Sequence, residues 1–107
     1  MGESWKSRGP FLVLLALRTG PKHGYEIASW LKDQTDGFFS LSFGALYPIL
    51  HQMEKDGFVD GSWEEVGATK RRKVYTLTAR GREALGEERQ RYEAYVGAFK
   101  RLLGSSR

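Results

Sequence analysis

The longest uninterrupted apolar stretch of the chain is residues 11–17, and it sets the pattern of predicted elements. Its Leu and Ala content favours a buried helix, although a buried strand would show a similar run. Pro10 suits the first position of that helix, and Gly20 with Pro21 supplies its stop. A helix that is apolar on every side needs cover on every side, so we expect a second subunit to provide part of it.

Two further helices are predicted from apolar residues spaced at the helical period. One runs over about residues 23–34 and ends at Asp36 and Gly37. The other follows Ser42, whose hydroxyl makes it a favourable N-cap, and ends at Gly57. Its apolar stripe has the i, i+3, i+4, i+7 spacing of a helix packed on a core and consists of Leu46, Ile49, Leu50 and Met53.

A β-hairpin is predicted directly after the third helix. We place its outgoing strand at about residues 58–65, its tip at residues 67–68 and its returning strand at residues 70–77. Tyr75 and Leu77 share one face of the returning strand and are expected to point inward. A short helix followed at once by a hairpin is typical of a winged helix-turn-helix, so the predicted fold class is mainly α with a small β-hairpin.

A terminal helix is predicted from Thr78, its N-cap, to about residue 103. No sequence remains within the chain for this helix to pack against, so we expect it to join two copies; the alternative is that it folds back on its own domain. The predicted division is a winged helix-turn-helix in residues 1–78 and a dimerisation helix in residues 79–107. The apolar seam of that helix is close to a heptad pattern and consists of Leu85, Tyr92, Val96, Phe99 and Leu103.

Positive charge is concentrated in the hairpin. The chain carries 17 Lys and Arg against 13 Asp and Glu, a formal net charge of +4. Residues 66–82 include six basic residues and no acidic one, and four of these, Lys70, Arg71, Arg72 and Lys73, are consecutive. Such a field attracts phosphate, and a winged helix protein places a helix in the major groove while its hairpin reaches flanking DNA. The alternative is an ordinary solvated charged hairpin.

The sequence carries no pattern of catalytic or metal-binding residues, so we expect no enzymatic activity, no metal and no cofactor. There are no cysteines, and the two histidines, His23 and His51, lie on different predicted helices. The apolar runs are too short to span a bilayer, and a cytoplasmic location is expected. Gly44, near a helix N-terminus, either lets a phosphate approach the backbone closely or packs closely against the second helix.

Several segments, in order and at characteristic spacing, resemble the PadR family of bacterial transcriptional regulators. They cover most of residues 11–82, and the terminal helix is similar to that of the short, single-helix subgroup. The family usually has Thr in place of Ala45 and Leu in place of Met53, and it often has Gly-Arg-Pro-Arg where Thr-Lys-Arg-Arg stands at residues 69–72. The matching segments are residues 14–17, HGYEI at 23–27, SFGALYPIL at 42–50, MEKDGFV at 53–59 and VYTLTARG at 74–81.

The resemblance implies a homodimeric, ligand-responsive repressor that binds an inverted-repeat operator in double-stranded DNA. Most of the implied contacts would be to phosphates, and His51 and Gln52 are the main candidates for reading bases because the third helix has no Arg and no Asn. Tyr47 is assigned either to a phosphate contact or to packing beside Pro48. The implied DNA-binding residues are His23, Tyr25, Ser42, Phe43, Gly44, Tyr47, His51, Gln52, Lys70, Arg71, Arg72 and Lys73.

The resemblance also implies a pocket for a small planar aromatic or apolar effector at the dimer interface. Its nearest matches are Tyr92, Tyr95 and Phe99, together with Trp5, and ordinary interface packing is the alternative for each. Val96 and Leu103 complete the predicted seam. Two other classes of function stay open: a winged helix that binds another protein, and a ligand carrier or sensor that binds no DNA.

Overall fold

The computed structural model describes the backbone of residues 5–104 and the side chains of residues 8–104. This part of the chain contains helices α1 (Trp5–Leu17), α2 (Gly24–Gln34), α3 (Phe43–Lys55) and α4 (Ala79–Leu102), and strands β1 (Lys22–His23), β2 (Val59–Val66) and β3 (Lys70–Leu77). The strands form one antiparallel sheet in the order β1-β3-β2. The predicted class, mainly α with a small β-hairpin in winged helix order, is confirmed. None of the described helices is both long and apolar enough to cross a membrane.

Helix α1 lies at the centre of the domain. Val13, Leu14, Ala16 and Leu17 are buried, and α1 contacts α2, α3, α4 and β3 of the same chain. Elements of the same chain therefore bury most of the apolar surface of α1. These four residues do not need the second subunit that we expected to pack on the helix.

The predicted start of α1 at Pro10 is wrong, because the helix begins at Trp5 and Pro10 lies inside it. Proline inside a helix removes one backbone hydrogen bond. Packing against α3 holds the preceding turn in place: a Cβ atom on Gly9 would lie only 2.6 Å from Cδ1 of Ile49. Tertiary contacts thus extend α1 past the residue that its local sequence marks as a beginning.

The core continues from α1 into the remaining elements. The stripe predicted for α3 is confirmed, with Leu46, Leu50 and Met53 buried and Ile49 packed against them. Tyr75 and Leu77 of β3 point inward as predicted. The other members of the core are Ile27, Leu31, Val59 and Leu85.

Strand β1 is an element that the sequence pattern did not predict. Lys22 pairs with Tyr75 and His23 with Val74, so the chain entering α2 forms a third strand on the free edge of β3. A two-residue strand has no period to detect, and it forms because the edge of β3 offers unpaired backbone groups. Beyond these two pairs the chain turns into α2, so β1 leaves Lys70–Lys73 of β3 without a partner on that edge.

The first half of α4 belongs to the core of its own chain. Thr78 caps the helix, its hydroxyl accepting a hydrogen bond from the Gly81 N–H at 3.0 Å and donating one to the Gly57 carbonyl at 2.7 Å. The ring of Tyr92 stacks on that of Phe11 in α1, with centroids 4.5 Å apart. The expectation that α4 has nothing to pack against within its chain is therefore wrong for this half, because α1 is long enough to reach it.

The second half of α4 extends beyond the core. It contributes to a longest dimension of 57 Å, against 28 and 25 Å in the other directions. Its exposed apolar side chains are Tyr95, Val96, Phe99, Leu102 and Leu103.

Two glycines of α4 provide a matched test of this packing. A Cβ atom at Gly81 would overlap the carbonyl oxygen of Phe58, whereas one at Gly86 meets no described atom within 4 Å outside its own helix. We expect Gly81→Ala to lower the free energy of unfolding by about 1–3 kcal/mol. Gly86→Ala should raise it by roughly 0.5–1 kcal/mol, because alanine loses less backbone entropy in a helix. Urea denaturation measures both changes, and equal effects of the two substitutions would contradict the packing of Gly81.

Candidate nucleic-acid interface

A row of aromatic rings covers the outer face of α3. Phe43, Tyr47 and His51 are spaced by one helical turn, with ring centroids 5.9 and 6.0 Å apart. Tyr25 of α2 stacks on Phe43 at 5.0 Å and extends the row to a second helix. Tyr25 is 68% exposed and Tyr47 is 48% exposed. Tyr47 thus contacts its neighbours on the surface while its ring stays accessible to a ligand.

Gly24 and Gly44, at the starts of α2 and α3, have opposite surroundings. A Cβ atom at Gly24 would overlap the Phe43 ring, so this glycine makes room for the stack between Phe43 and Tyr25. At Gly44, apart from its chain neighbours and the backbone of its own helix, the one described atom within 4 Å of a Cβ would be Oγ of Ser42, at 3.8 Å. Close packing of Gly44 against α2 is therefore wrong, and its backbone lies open at the front of α3.

Several polar groups at the ends of α2 and α3 already form hydrogen bonds within the chain. Ser42 accepts a hydrogen bond from the Ala45 N–H at 3.1 Å, which confirms it as the N-cap of α3. The backbone N–H of His23 donates to the Glu26 carboxylate at 3.0 Å, so Glu26 supplies the negative charge that the start of α2 favours. Gln52 donates to the Asp56 carboxylate at 3.1 Å and would have to leave it to contact a base.

The alternation of side chains along β3 divides the four wing cations between its two faces. Arg71 and Lys73 lie on the face that continues into Tyr75, and Lys70 and Arg72 lie on the other. The guanidinium of Arg71 lies 4.9 Å from the ring centroid of Trp63, and Arg72 pairs with Glu64 at 3.2 Å. That pair is about half exposed, so it is weak and can exchange for a phosphate.

Lys70 and Lys73 have contrasting surroundings. The ammonium of Lys70 has no hydrogen bond or ion pair with any residue that the structure describes. The ammonium of Lys73 instead donates to Oε1 of Glu54 in α3 at 2.8 Å. This hydrogen bond raises the pKa of Lys73 above its ordinary value, and burial raises the pKa of the neighbouring Tyr75. Of the four wing cations, Lys70 is thus unpaired, Arg71 and Arg72 are held by weak surface contacts, and Lys73 is turned toward α3.

A groove of about 390 Å³ lies between the wing and the starts of α2 and α3. Seven of the twelve predicted DNA-binding residues meet there, and no acidic residue lines it. The other five, Ser42, Gly44, Tyr47, His51 and Gln52, belong to α3 or its N-cap outside the groove. The lining residues are His23, Gly24, Tyr25, Phe43, Val66, Lys70, Arg71, Arg72 and Lys73.

Sequence reasoning missed the role of Trp63 in this region. Trp63 pairs with Lys73 across the hairpin, so its ring lies on the same face as Arg71 and Lys73 and contacts both cations. The two-residue period of a strand and a count from the tip at Gly67 would have indicated this position. Glu54 was missed for a different reason, because its partner lies 19 residues away in sequence.

A second cavity, of about 470 Å³, lies between α1 and α4. Of the residues predicted for the dimer interface or effector pocket, Tyr92 and Val96 line it. Tyr95 and Phe99 pack edge to face at 5.1 Å outside it, and Leu103 is exposed. The side chain of Trp5 lies outside the described residues. The cavity is lined by Phe11, Leu15, Arg18, Arg89, Tyr92, Glu93, Val96, Gly97 and Lys100.

The described part of the chain contains no cluster of three or more His, Cys, Asp or Glu residues that could hold a metal ion. The candidate interface includes aromatic rings and cations, which are groups of the kind that contact bases and phosphates directly.

Comparison with known proteins identifies similar chains. Residues 13–87 match the family described as "Transcriptional regulator PadR-like family". The negative transcriptional regulator PadR of Bacillus subtilis is 32% identical over 75 residues, which cover 70% of this chain and 41% of that protein. The chain thus spans less than half the length of this curated relative.

Solved structures show the same similarity. The crystal structure of Bacillus subtilis PadR in complex with operator DNA matches with a TM-score of 0.69 and 31% identity, covering 73% of this chain and 44% of that one. A PadR-like transcriptional regulator from Bacillus cereus matches with a TM-score of 0.78 and 26% identity, covering 92% of this chain and 93% of that one.

The two glycines at the helix starts test the aromatic row. Gly24→Ala should lower the free energy of unfolding by about 1–3 kcal/mol, because the added methyl group must displace Phe43. Gly44→Ala, the matched control, should leave stability unchanged or raise it by up to about 1 kcal/mol. Thermal unfolding followed by circular dichroism distinguishes the two, and a neutral Gly24→Ala would contradict the close contact with Phe43.

Proposed function

We propose, from the premise that this chain belongs to the PadR-like family of transcriptional regulators, that it represses transcription by binding double-stranded DNA as a homodimer. The observation that carries the proposal is the acid-free groove between the wing and the starts of α2 and α3, next to the open face of α3. The Bacillus subtilis relative, whose structure contains operator DNA, matches 73% of this chain with 31% identity.

Helix α3 fits the major groove in this proposal. Its outer face presents Phe43, Tyr47 and His51, and aromatic or apolar groups of this kind can contact thymine methyl groups. His51 is exposed, and its ring nitrogens have no hydrogen-bond partner among the described residues. Gln52 becomes a second base reader when it releases Asp56. The open backbone at Gly44 allows a phosphate to approach the start of α3.

The wing supplies phosphate contacts beside that helix. Lys70 is free, Arg71 is held on Trp63 with its charge accessible, and Arg72 can exchange Glu64 for a phosphate. A DNA backbone that follows the groove would pass between these cations and the rings of Tyr25 and Phe43. These contacts position the protein, while α3 supplies the sequence preference.

The exposed seam of α4 is the proposed dimer interface. Phe99 is 48% exposed, and Leu102 and Leu103 are 80% and 78% exposed, in a helix whose first half is already covered by α1. Burying such side chains against a second copy is favourable by about 25 cal/mol per Å² of apolar surface. A two-fold dimer presents two copies of α3, which corresponds to an inverted-repeat operator.

The cavity between α1 and α4 is the proposed site for a small planar aromatic or apolar effector. The stacked rings of Phe11 and Tyr92 form one part of its wall, and Val96 of the seam forms another. A ligand there would contact a residue of the proposed dimer interface and so bias the distance between the two copies of α3. This function implies a non-enzymatic protein associated with the nucleoid in the cytoplasm.

The wing can be tested by its effect on salt dependence. Lys70→Ala should weaken binding to a labelled duplex and reduce the slope of log K against log salt by about one, because one phosphate contact is lost. Arg101→Ala also removes one positive charge, but from the last turn of α4 and outside the wing, so it should leave the slope unchanged. Fluorescence anisotropy at several salt concentrations measures the slope, and equal slopes for all three proteins would remove Lys70 from the DNA contacts.

The dimer can be tested by placing a charge in the seam. Phe99→Asp should give monomers, because the carboxylate would have to be buried between two apolar helices. Ala94→Asp puts the same group on the opposite side of α4 and should leave the assembly intact. Light scattering gives the mass of each variant. A dimeric Phe99→Asp variant would show that the copies do not associate through this seam.

A further inference from the structure

Lys73 is the wing cation that turns toward its own protein. Its side chain is 27% exposed, and its ammonium lies 2.8 Å from the Glu54 carboxylate, which is 29% exposed. Glu54 belongs to α3 and Lys73 to β3. This ion pair therefore connects the helix proposed to read DNA with the strand that carries the wing.

Gly61 of β2 gives the pair its space. A Cβ atom there would lie 2.5 Å from Cε of Lys73 and 3.1 Å from Oε2 of Glu54. Gly61 does not have a positive φ, so its backbone conformation does not require glycine. Glycine inside a strand is otherwise destabilising. Here the missing side chain of Gly61 leaves room for the side chains of Lys73 and Glu54 to meet above the strand.

Two aromatic rings flank the Lys73 ammonium. Its Nζ atom lies 5.6 Å from the ring centroid of Trp63 and 5.9 Å from that of Tyr75. The hydrogen bond to Glu54 raises the pKa of Lys73 above its ordinary value, so the contact stabilises the charged ammonium. The pair is partly shielded from solvent, so salt screens it less than the exposed pair between Arg72 and Glu64.

We infer that the ion pair of Glu54 and Lys73, crossing Gly61, sets the angle between the wing and α3, and that both are positioning residues rather than DNA contacts. The inference rests on the proposed DNA binding. Without the pair the hairpin is held to α3 less firmly, and Lys70 and Arg71 lose their alignment with a helix seated in the major groove.

Glu54→Gln separates positioning from simple electrostatics. The substitution removes a negative charge from the protein, so a purely electrostatic account predicts tighter binding to a labelled duplex. Loss of positioning predicts weaker binding instead, by about tenfold, with an unchanged salt slope because no phosphate contact is lost. Binding by Glu54→Gln that equals or exceeds that of the unaltered protein would overturn the inference.

A charge exchange provides the rescue. Lys73→Glu alone should bind weakly, and the double variant Glu54→Lys with Lys73→Glu restores the pair, keeps the net charge and should recover both affinity and salt slope. If Lys73 instead contacts a phosphate, the double variant stays as weak as Lys73→Glu and its slope falls by about one. That result would overturn the inference while leaving the proposed function intact.

Gly61→Ala tests the same geometry with every charge retained. It should displace the pair and weaken duplex binding, whereas Gly86→Ala in α4, where an added Cβ atom meets no described atom within 4 Å outside its own helix, is the matched control. Circular dichroism confirms that each variant is folded before binding is measured. Unaltered affinity in Gly61→Ala would contradict the inference, and absence of salt-sensitive duplex binding by the unaltered protein would contradict the proposed function.

Discussion

The burial of α1 is the constraint on which the rest of the structure depends. A helix with apolar residues on every side is stable in water only when other elements surround it, and α2, α3, α4 and β3 all pack on it. This arrangement fixes α3 and β3 against one common support, so the aromatic face of the helix and the cations of the wing meet at one groove. It also covers the first half of α4 and leaves the second half to extend from the domain with its apolar seam exposed.

Periodic patterns made most of the fold predictable, and exceptions occurred where distant contacts overrode local signals. The stripe of α3, the cap at Ser42 and the inward direction of Tyr75 follow from side-chain chemistry and spacing alone. Strand β1 did not, because two residues pair only where the edge of β3 is already present. The start of α1 was misplaced because packing of Gly9 on Ile49 outweighs the helix-start preference of Pro10. Self-packing of α4 through Tyr92 was missed for the same reason.

For the candidate site, the sequence identifies the residue types, but only the folded chain shows which partners they have. The sequence identifies four adjacent wing cations, but it does not show that a strand directs them to two faces with different partners. Glu54 decides the direction of Lys73 across a separation of 19 residues, and only the folded chain brings the two together. Gly61 likewise has no evident purpose in the sequence, since the atoms that need its space belong to α3 and β3. A basic run therefore overstates the number of cations free to bind phosphate.

Selection of bound duplexes from a random pool, followed by sequencing, tests the central claim most directly. Two copies of α3 related by a two-fold axis should enrich an inverted repeat whose half-sites are separated by about 34 Å, or one turn of B-DNA, or a multiple of it. Enrichment of such a palindrome at moderate salt is the expected result. A pool that stays random, or one that yields a single asymmetric half-site, would contradict a dimer that presents paired reading helices and wings to DNA.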